Sequence, residues 1–213
     1  MIEISIVVPV RDENENIKPF LQRTENVLNT IGKSYEIIFA LDPSSDNTEK
    51  VILDEIKRNK NIKLLVFSRQ FGQPAATIAG ILNCKGSYCV IIDVDLQDPP
   101  EIIEQLYKKI ISGYEVVYAK RKNRKGETIF KKIISSFGYF LINKLSEVRI
   151  PKDTGDYRII TRKIINHLKE LNESHGFLKG MVAYVGFNQS FIEYDREHRR
   201  AGKSKYNRFL GSL

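Results

Sequence analysis

The stretch Tyr88-Cys89-Val90-Ile91-Ile92-Asp93-Val94-Asp95-Leu96-Gln97-Asp98-Pro99-Pro100 decides the fold class. Tyr88 to Ile92 is a fully apolar run that ends in acid, which is how a strand buried on both faces of a parallel sheet reads. Asp98 followed by Pro99 and Pro100 reads as a helix start, because an aspartate accepts from free first-turn amides and proline there has no donor to lose. That helix is expected to reach about Ile111, with Gly113 closing it and Glu115 to Ala119 forming the next strand.

Working towards the N-terminus, short apolar runs alternate with helical patterns, the signature of βαβ units. Ile4 to Val10, Tyr35 to Leu41 and Ile62 to Phe67 read as strands. Between them, Ile17, Phe20, Leu21, Val27, Leu28 and Ile31 follow helical spacing and Gly32 stands where a C-cap glycine belongs. Asp46 is placed to cap a helix carrying Val51, Ile52 and Ile56. Gly72 and Pro74 interrupt the chain before an Ala-rich helix, roughly Ala75 to Asn83. Towards the C-terminus, Ile129 to Leu145 is apolar on more than one side and reads as a core helix, with a membrane-contacting helix as the alternative. The expected architecture is α/β, an open and mostly parallel central sheet flanked by helices.

The chain has 213 residues, 42% of them hydrophobic and 28% charged, enough for one sizeable core, so residues 1–213 are read as a single domain. Lys and Arg number 34 against 26 Asp and Glu, and the net charge of +8 points to anionic partners. Cys84 and Cys89, with three scattered histidines, support neither a disulfide framework nor a zinc site, and a reducing, cytosolic setting fits. Met1 leads straight into a strand pattern with no signal-peptide n-region, and no apolar run approaches the ~18 residues of a membrane span.

In an open parallel sheet, ligands bind beyond the carboxyl ends of the strands. Three such ends are acidic or polar here: Pro9-Val10-Arg11-Asp12-Glu13-Asn14, Asp42 to Asp46, and Asp93-Val94-Asp95. A bare Asp-x-Asp is ordinary turn chemistry, but its place at the end of a central strand favours a shared hard divalent cation, with Gln97 as a third oxygen donor. The chain has neither a Walker A loop nor Gly-x-Gly-x-x-Gly, so phosphates are expected to be held by a metal and basic side chains.

Ile6 to Ile17, Asp42, and Asp93-Val94-Asp95-Leu96-Gln97-Asp98-Pro99-Pro100-Glu101 together resemble the family 2 glycosyltransferases of GT-A fold. Within these the chain is similar to the polyisoprenyl-phosphate glycosyltransferases, relatives of dolichol-phosphate mannose synthase. Asn83 to Gly86, Asp153 to Arg158, Phe177 to Gly186 and Arg196 to Tyr206 extend the match over nearly the whole chain. The resemblance implies that Pro9, Arg11 and Glu13 line a nucleotide pocket and that Asp42 accepts from the base. It implies Mg²⁺ or Mn²⁺ on Asp93, Asp95 and Gln97 against the donor diphosphate. Arg121, Arg196, Arg199, Lys203, Ser204 and Lys205 would form a basic wall facing the phosphates, and Asp156 a catalytic or sugar-orienting carboxylate. Residues 1–119 would then be the nucleotide-sugar-binding half and 120–213 the acceptor-binding half. One departure stands out: the family usually reads Asp-Asp-Gly-Ser where this chain has Leu41-Asp42-Pro43-Ser44, which implies an altered or weakened donor site.

The resemblance implies an inverting, metal-dependent transfer from a UDP- or GDP-sugar to a polyisoprenyl phosphate at the cytoplasmic face of a membrane. Many relatives continue past the equivalent of Tyr206 into membrane helices. This chain stops at Leu213, which reads as truncation, with peripheral docking at the membrane surface as the alternative. A homo-oligomer is compatible with the sequence. Two rival readings are a saccharide or other non-lipid acceptor, and a non-catalytic basic module. Binding to nucleic acid is disfavoured because the basic residues lack interleaved stacking aromatics and the acidic strand ends would repel a phosphate backbone. More ordinary readings accompany individual residues: Arg158 paired with Asp156, Arg196 to Lys205 as a solvated face, Lys120 to Lys125 as a plain loop, His175 and His198 as surface residues, and both cysteines as small core residues.

Overall fold

The computed structural model describes residues 1–122, 154–171 and 178–201. Its strands are β1 (Ile4–Val10), β2 (Tyr35–Leu41), β3 (Ile62–Val66), β4 (Tyr88–Ile91), β5 (Val116–Arg121), β6 (Thr154–Thr161) and β7 (Gln189–Tyr194). The described helices are α1 (Asn14–Ile31), α2 (Thr48–Arg58), α3 (Gln73–Asn83), α4 (Ile102–Ile110), α5 (Arg162–Glu170) and α6 (Leu178–Val185). The expected helix at Ile129 to Leu145 lies outside the described residues.

The strands form one sheet in the order β3-β2-β1-β4-β6-β5-β7. Pairing is parallel except where β6 meets β4 and β5, so every strand but β6 runs the same way. Because β6 is reversed, its first residues lie beside the last residues of β4, with Ile91 opposite Arg158. The sheet therefore runs without a break across residue 119, with a strand of the second half wedged between two of the first.

Alternation along β1 buries both faces. Ile4, Ile6, Val8 and Val10 enter the layer that holds Phe20 of α1, Ile52 of α2 and Leu106 of α4. Val7 enters the opposite layer with Ile78 of α3, Ile164 of α5 and Val182 of α6. Helix α1 ends where expected, at Gly32, whose φ of 68° is left-handed and whose N–H donates to Leu28 O at 3.0 Å. Cys84 and Cys89 are buried free thiols in the second layer, as small core residues.

The expected start of α4 was wrong in one respect. The helix begins at Ile102 with Glu101 as its cap residue, and Ile102 and Ile103 N–H donate to the carbonyls of Pro99 and Pro100. Two successive prolines already shape that turn, which leaves the Asp98 side chain for a different set of partners.

Candidate active site

The chain leaves β1 towards β2 on one side and reaches β4 on the other, so the crevice at the β1/β4 carboxyl ends is the switch point of the sheet. A cleft of about 440 Å³ opens there, lined by Pro9, Val10, Arg11, Glu13, Asp42, Gln70, Gly72, Gln73, Ala76, Asp93, Val94, Asp95, Gln97, Arg196 and Arg199. The common strand direction is what brings the three acidic ends together. Nine of these residues come from the ends of β1, β2 and β4, while Arg196 and Arg199 arrive from the far end of the chain.

At the β1–β2 end, two loops are tied to each other. Asp12, at a left-handed φ of 47°, accepts from Ser45 N–H at 2.5 Å, while its own N–H donates to Ser44 Oγ at 2.9 Å. Asp46 accepts from Thr48 N–H at 2.9 Å and from Asn14 N–H at 3.2 Å, so it serves the start of α2 and the β1 loop together. Asp42 is buried and accepts from the N–H groups of Phe71 at 3.1 Å and Gly72 at 2.8 Å, fixing the loop that leads into α3. Leu41 faces away from the cleft, in the core with Ile17 and Ile52, and Pro43 is exposed outside the lining. The departure from the family pattern thus leaves Asp42 as the residue of that stretch that faces the cleft.

The floor of the cleft is acidic. After β4, Leu96 is buried in the core and Val94 lies between core and cleft wall, while Asp93, Asp95 and Gln97 line the cleft. Leu96 takes a left-handed φ of 60°, a strained conformation for a leucine and of the kind that clusters at functional sites. Gln97 N–H donates to Asp95 Oδ1 at 3.0 Å, and Gln73 Nε2 donates to Asp93 Oδ1 at 2.8 Å. Burial, helped by the like charges of Asp98, Asp95 and Asp156, pushes Asp93 up to about 7. An excess of negative charge at one place, supplied by hard oxygen donors, suits a divalent cation. Among the described residues no three His, Cys, Asp or Glu side chains converge into a closed cage. Two carboxylates and an amide oxygen would leave coordination positions open for phosphate oxygens and water.

The opposite wall is basic and comes from residues 195–201, which follow β7 and cross the cleft. Arg199 pairs with Glu13 at 2.6 Å and lies 3.7 Å from Asp95, while Glu13 also accepts from Asn16 Nδ2 at 2.5 Å. The carboxylate of Glu13 therefore aims Arg199 at the acidic floor. Arg196 lies 3.4 Å from Asp98, and Arg121 of β5 lies 3.7 Å from the same Asp98 oxygen. Asp98 is buried and also accepts from the Tyr194 hydroxyl. Neither Asp98 nor Tyr194 was read from the sequence as part of a site. Asp98 was legible as a carboxylate one residue after Gln97, but the following prolines made a helix cap the simpler reading.

Of the residues expected in the site, Pro9, Arg11, Glu13, Asp42, Asp93, Asp95, Gln97, Arg196 and Arg199 line one cleft. Arg121 and Asp156 stand just outside the lining, at the end of β5 and the start of β6. Arg158 is fully buried, pairs with Asp156 at 3.3 Å and donates to Gly155 O at 3.0 Å, so the structural pairing read from the sequence is present. Its burial lowers the arginine from its ordinary value. His198 is exposed. Lys203, Ser204, Lys205 and His175 lie outside the described residues.

A mostly parallel sheet that gathers acidic strand ends beneath an arginine-bearing segment, without a glycine-rich phosphate loop, is the GT-A arrangement of glycosyltransferases. Solved structures share the fold. A mannosyltransferase from Pyrobaculum calidifontis in complex with GDP-Man and Mn²⁺ superimposes with a TM-score of 0.62 at 14% identity, covering 90% of this chain and 55% of that one. Mannosyl-3-phosphoglycerate synthase from Rubrobacter xylanophilus does so with a TM-score of 0.63 at 13% identity, covering 94% and 68%. The chain belongs to glycosyl transferase family 2, which it matches over residues 5–169. It is 42% identical over 206 residues to the uncharacterized glycosyltransferase sll0501 of Synechocystis sp., covering 97% of this chain and 65% of that protein. It is 36% identical to the bactoprenol glucosyl transferase of Shigella phage SfV over 97% of this chain and 67% of the phage protein. The chain spans about 65% of the length of the first of these relatives.

Proposed function

We propose that this chain carries the catalytic domain of an inverting glycosyltransferase that moves a sugar from a UDP- or GDP-sugar to a polyisoprenyl phosphate at the cytoplasmic face of a membrane. The observation that carries this reading is Arg199, which faces Asp95 across the cleft at 3.7 Å. This contact sets a guanidinium directly beside the carboxylate proposed to hold the metal, so phosphate oxygens that reach the metal would also meet an arginine. The similarity to a bactoprenol glucosyl transferase supports the lipid acceptor.

In this reading Asp42 and the loop it anchors receive the base, while Asp93, Asp95 and Gln97 hold Mg²⁺ or Mn²⁺. The ion, when bound, neutralises charge on the departing diphosphate. An oxygen of the acceptor phosphate, already anionic near neutral pH, forms the new bond to the anomeric carbon as the bond to the diphosphate breaks. The electron pair leaves with the nucleoside diphosphate. No strong base is required, so positioning and charge stabilisation dominate. Arg121 and Arg196, steadied by Asp98, face the phosphates, and the family resemblance adds Lys203, Ser204 and Lys205 to that role. Asp156 orients a sugar hydroxyl or steadies developing positive charge. Among the described residues no helix is long and apolar enough to cross a membrane, so the membrane surface is met through other parts of the protein or through its basic faces.

The test is release of nucleoside diphosphate from a panel of UDP- and GDP-sugars with Mg²⁺ or Mn²⁺ and a short polyisoprenyl phosphate. Release that needs the acceptor and disappears in Asp95→Ala supports the reading. Absence of turnover and of donor binding under every condition overturns it.

A further inference from the structure

The segment that carries Arg196 and Arg199 is not held over the cleft by the cleft alone. Arg23, on the outer part of α1, donates to Glu101 through Nε at 2.8 Å and Nη2 at 2.6 Å. The same guanidinium donates to Glu197 through Nη1 at 2.9 Å and Nη2 at 2.8 Å. Glu197 N–H in turn donates to Gln97 O at 2.9 Å, and Asn16 Nδ2 reaches Ala201 O at 3.4 Å. Arg23 is not part of the cleft lining.

We infer that Arg23 is a positioning residue, which locks residues 195–201 across the cleft through Glu197 and thereby presents Arg196 and Arg199 to a bound diphosphate. The inference rests on the reading of the cleft as a nucleoside-diphosphate site. Three properties support it. The guanidinium is flat and spans two carboxylates on different parts of the chain, which a lysine ammonium cannot do with the same geometry. An isolated exposed ion pair contributes little, but a guanidinium with two carboxylates and a backbone bond adjoining forms a network of defined shape. Glu197 also lies between Arg196 and Arg199, so fixing it fixes the register of both. Glu101, the other anchor, immediately precedes α4, whose buried residues Ile103 and Leu106 tie it to the core. Arg23 therefore latches the segment to rigid elements, in addition to its backbone bond to Gln97 in the loop after β4.

The experiment compares the parent chain with Arg23→Gln and Arg23→Lys. Hydrogen–deuterium exchange of the metal-free protein is read at residues 195–201, and affinity for UDP and GDP is measured with Mn²⁺. Arg23→Gln is expected to speed exchange of 195–201 about tenfold while the amides of β1, β2 and β4 keep their protection, with Arg23→Lys between the two. Nucleotide affinity is expected to fall at least fivefold in Arg23→Gln. Unchanged exchange at 195–201 overturns the inference, as does a uniform rise over the whole chain or a loosened segment with unchanged affinity. If the parent binds neither nucleotide with Mn²⁺, the proposed function fails, and the exchange comparison alone decides whether Arg23 holds the segment.

Discussion

The Tyr194 hydroxyl donates to the buried carboxylate of Asp98, and through it the last residue of β7 is joined to the turn that follows the acidic floor. Arg121 and Arg196 converge on the same carboxylate, so one anion sets the direction of two guanidinium groups. Burial, and next the charge of Asp98, hold the Tyr194 phenol well above its ordinary value, and the hydroxyl stays a donor throughout the working range. Tyr194→Phe removes only that donor. It is expected to cost roughly 1–3 kcal/mol of stability, the cost of leaving a buried acceptor short of a partner. Chemical denaturation read by circular dichroism measures it. Turnover should fall with it, since both arginines lose a fixed reference.

Asp95 faces both the proposed cation and Arg199. Asp95→Asn keeps the size of the side chain and removes its charge. Nucleoside diphosphate release is expected to fall by about a hundredfold or more, the scale on which one preorganised electrostatic contact acts. Calorimetric titration with Mn²⁺ should show the matching loss of binding. Unaltered Mn²⁺ affinity would move the cation away from this carboxylate.

At the amino-terminal end of the strands, away from the cleft, Glu36 is buried and accepts from Ser5 Oγ at 2.6 Å, Lys85 N–H at 2.5 Å and Lys63 Nζ. Burial alone would raise this carboxyl, but the hydrogen bonds outweigh it and hold the group below its ordinary value of 4.5. A carboxyl depressed in the folded state adds stability above the unfolded value, and that stability is lost as pH falls through the folded value. Glu36→Gln is expected to cost roughly 2–3 kcal/mol at neutral pH, the scale of hydrogen bonds to a charged acceptor. The gap between parent and variant should shrink steadily below about pH 4.5, as denaturation across a pH series would show.

Gly86 sits against the same network, its N–H donating to Ser5 Oγ at 2.8 Å. A Cβ built there would meet Ser5 N at 2.7 Å and Tyr88 O at 2.8 Å, both backbone atoms that cannot swing aside. Gly86→Ala is therefore expected to lose about 1–3 kcal/mol, the usual cost of overpacking, through separation of β1 from β4. The thermal midpoint reports the loss, and an unchanged midpoint would show that the turn relaxes freely.

Much of this was legible in the chain. Runs such as Ile4 to Val10 and Tyr88 to Ile92 are buried on both faces, and period and composition alone mark such runs as strands. The acidic ends were legible because strands that share a direction must end on one edge, and that edge is where a parallel sheet binds ligands. Neither β6 nor its direction was read from the sequence, since Gly155, Asp156 and Arg158 break up any apolar or alternating run in Thr154 to Thr161. Only the tertiary structure turns β6 against β4 and so sets Asp156 beside Asp93. The role of Asp98 was hidden for a related reason: its local neighbours Pro99 and Pro100 favour a helix cap, while its partners Arg121, Tyr194 and Arg196 lie 23 or more positions away. Local interactions write themselves into short sequence windows. Contacts between distant charged groups do not, because any of several arginines satisfies the composition, and only the packed sheet decides which ones meet.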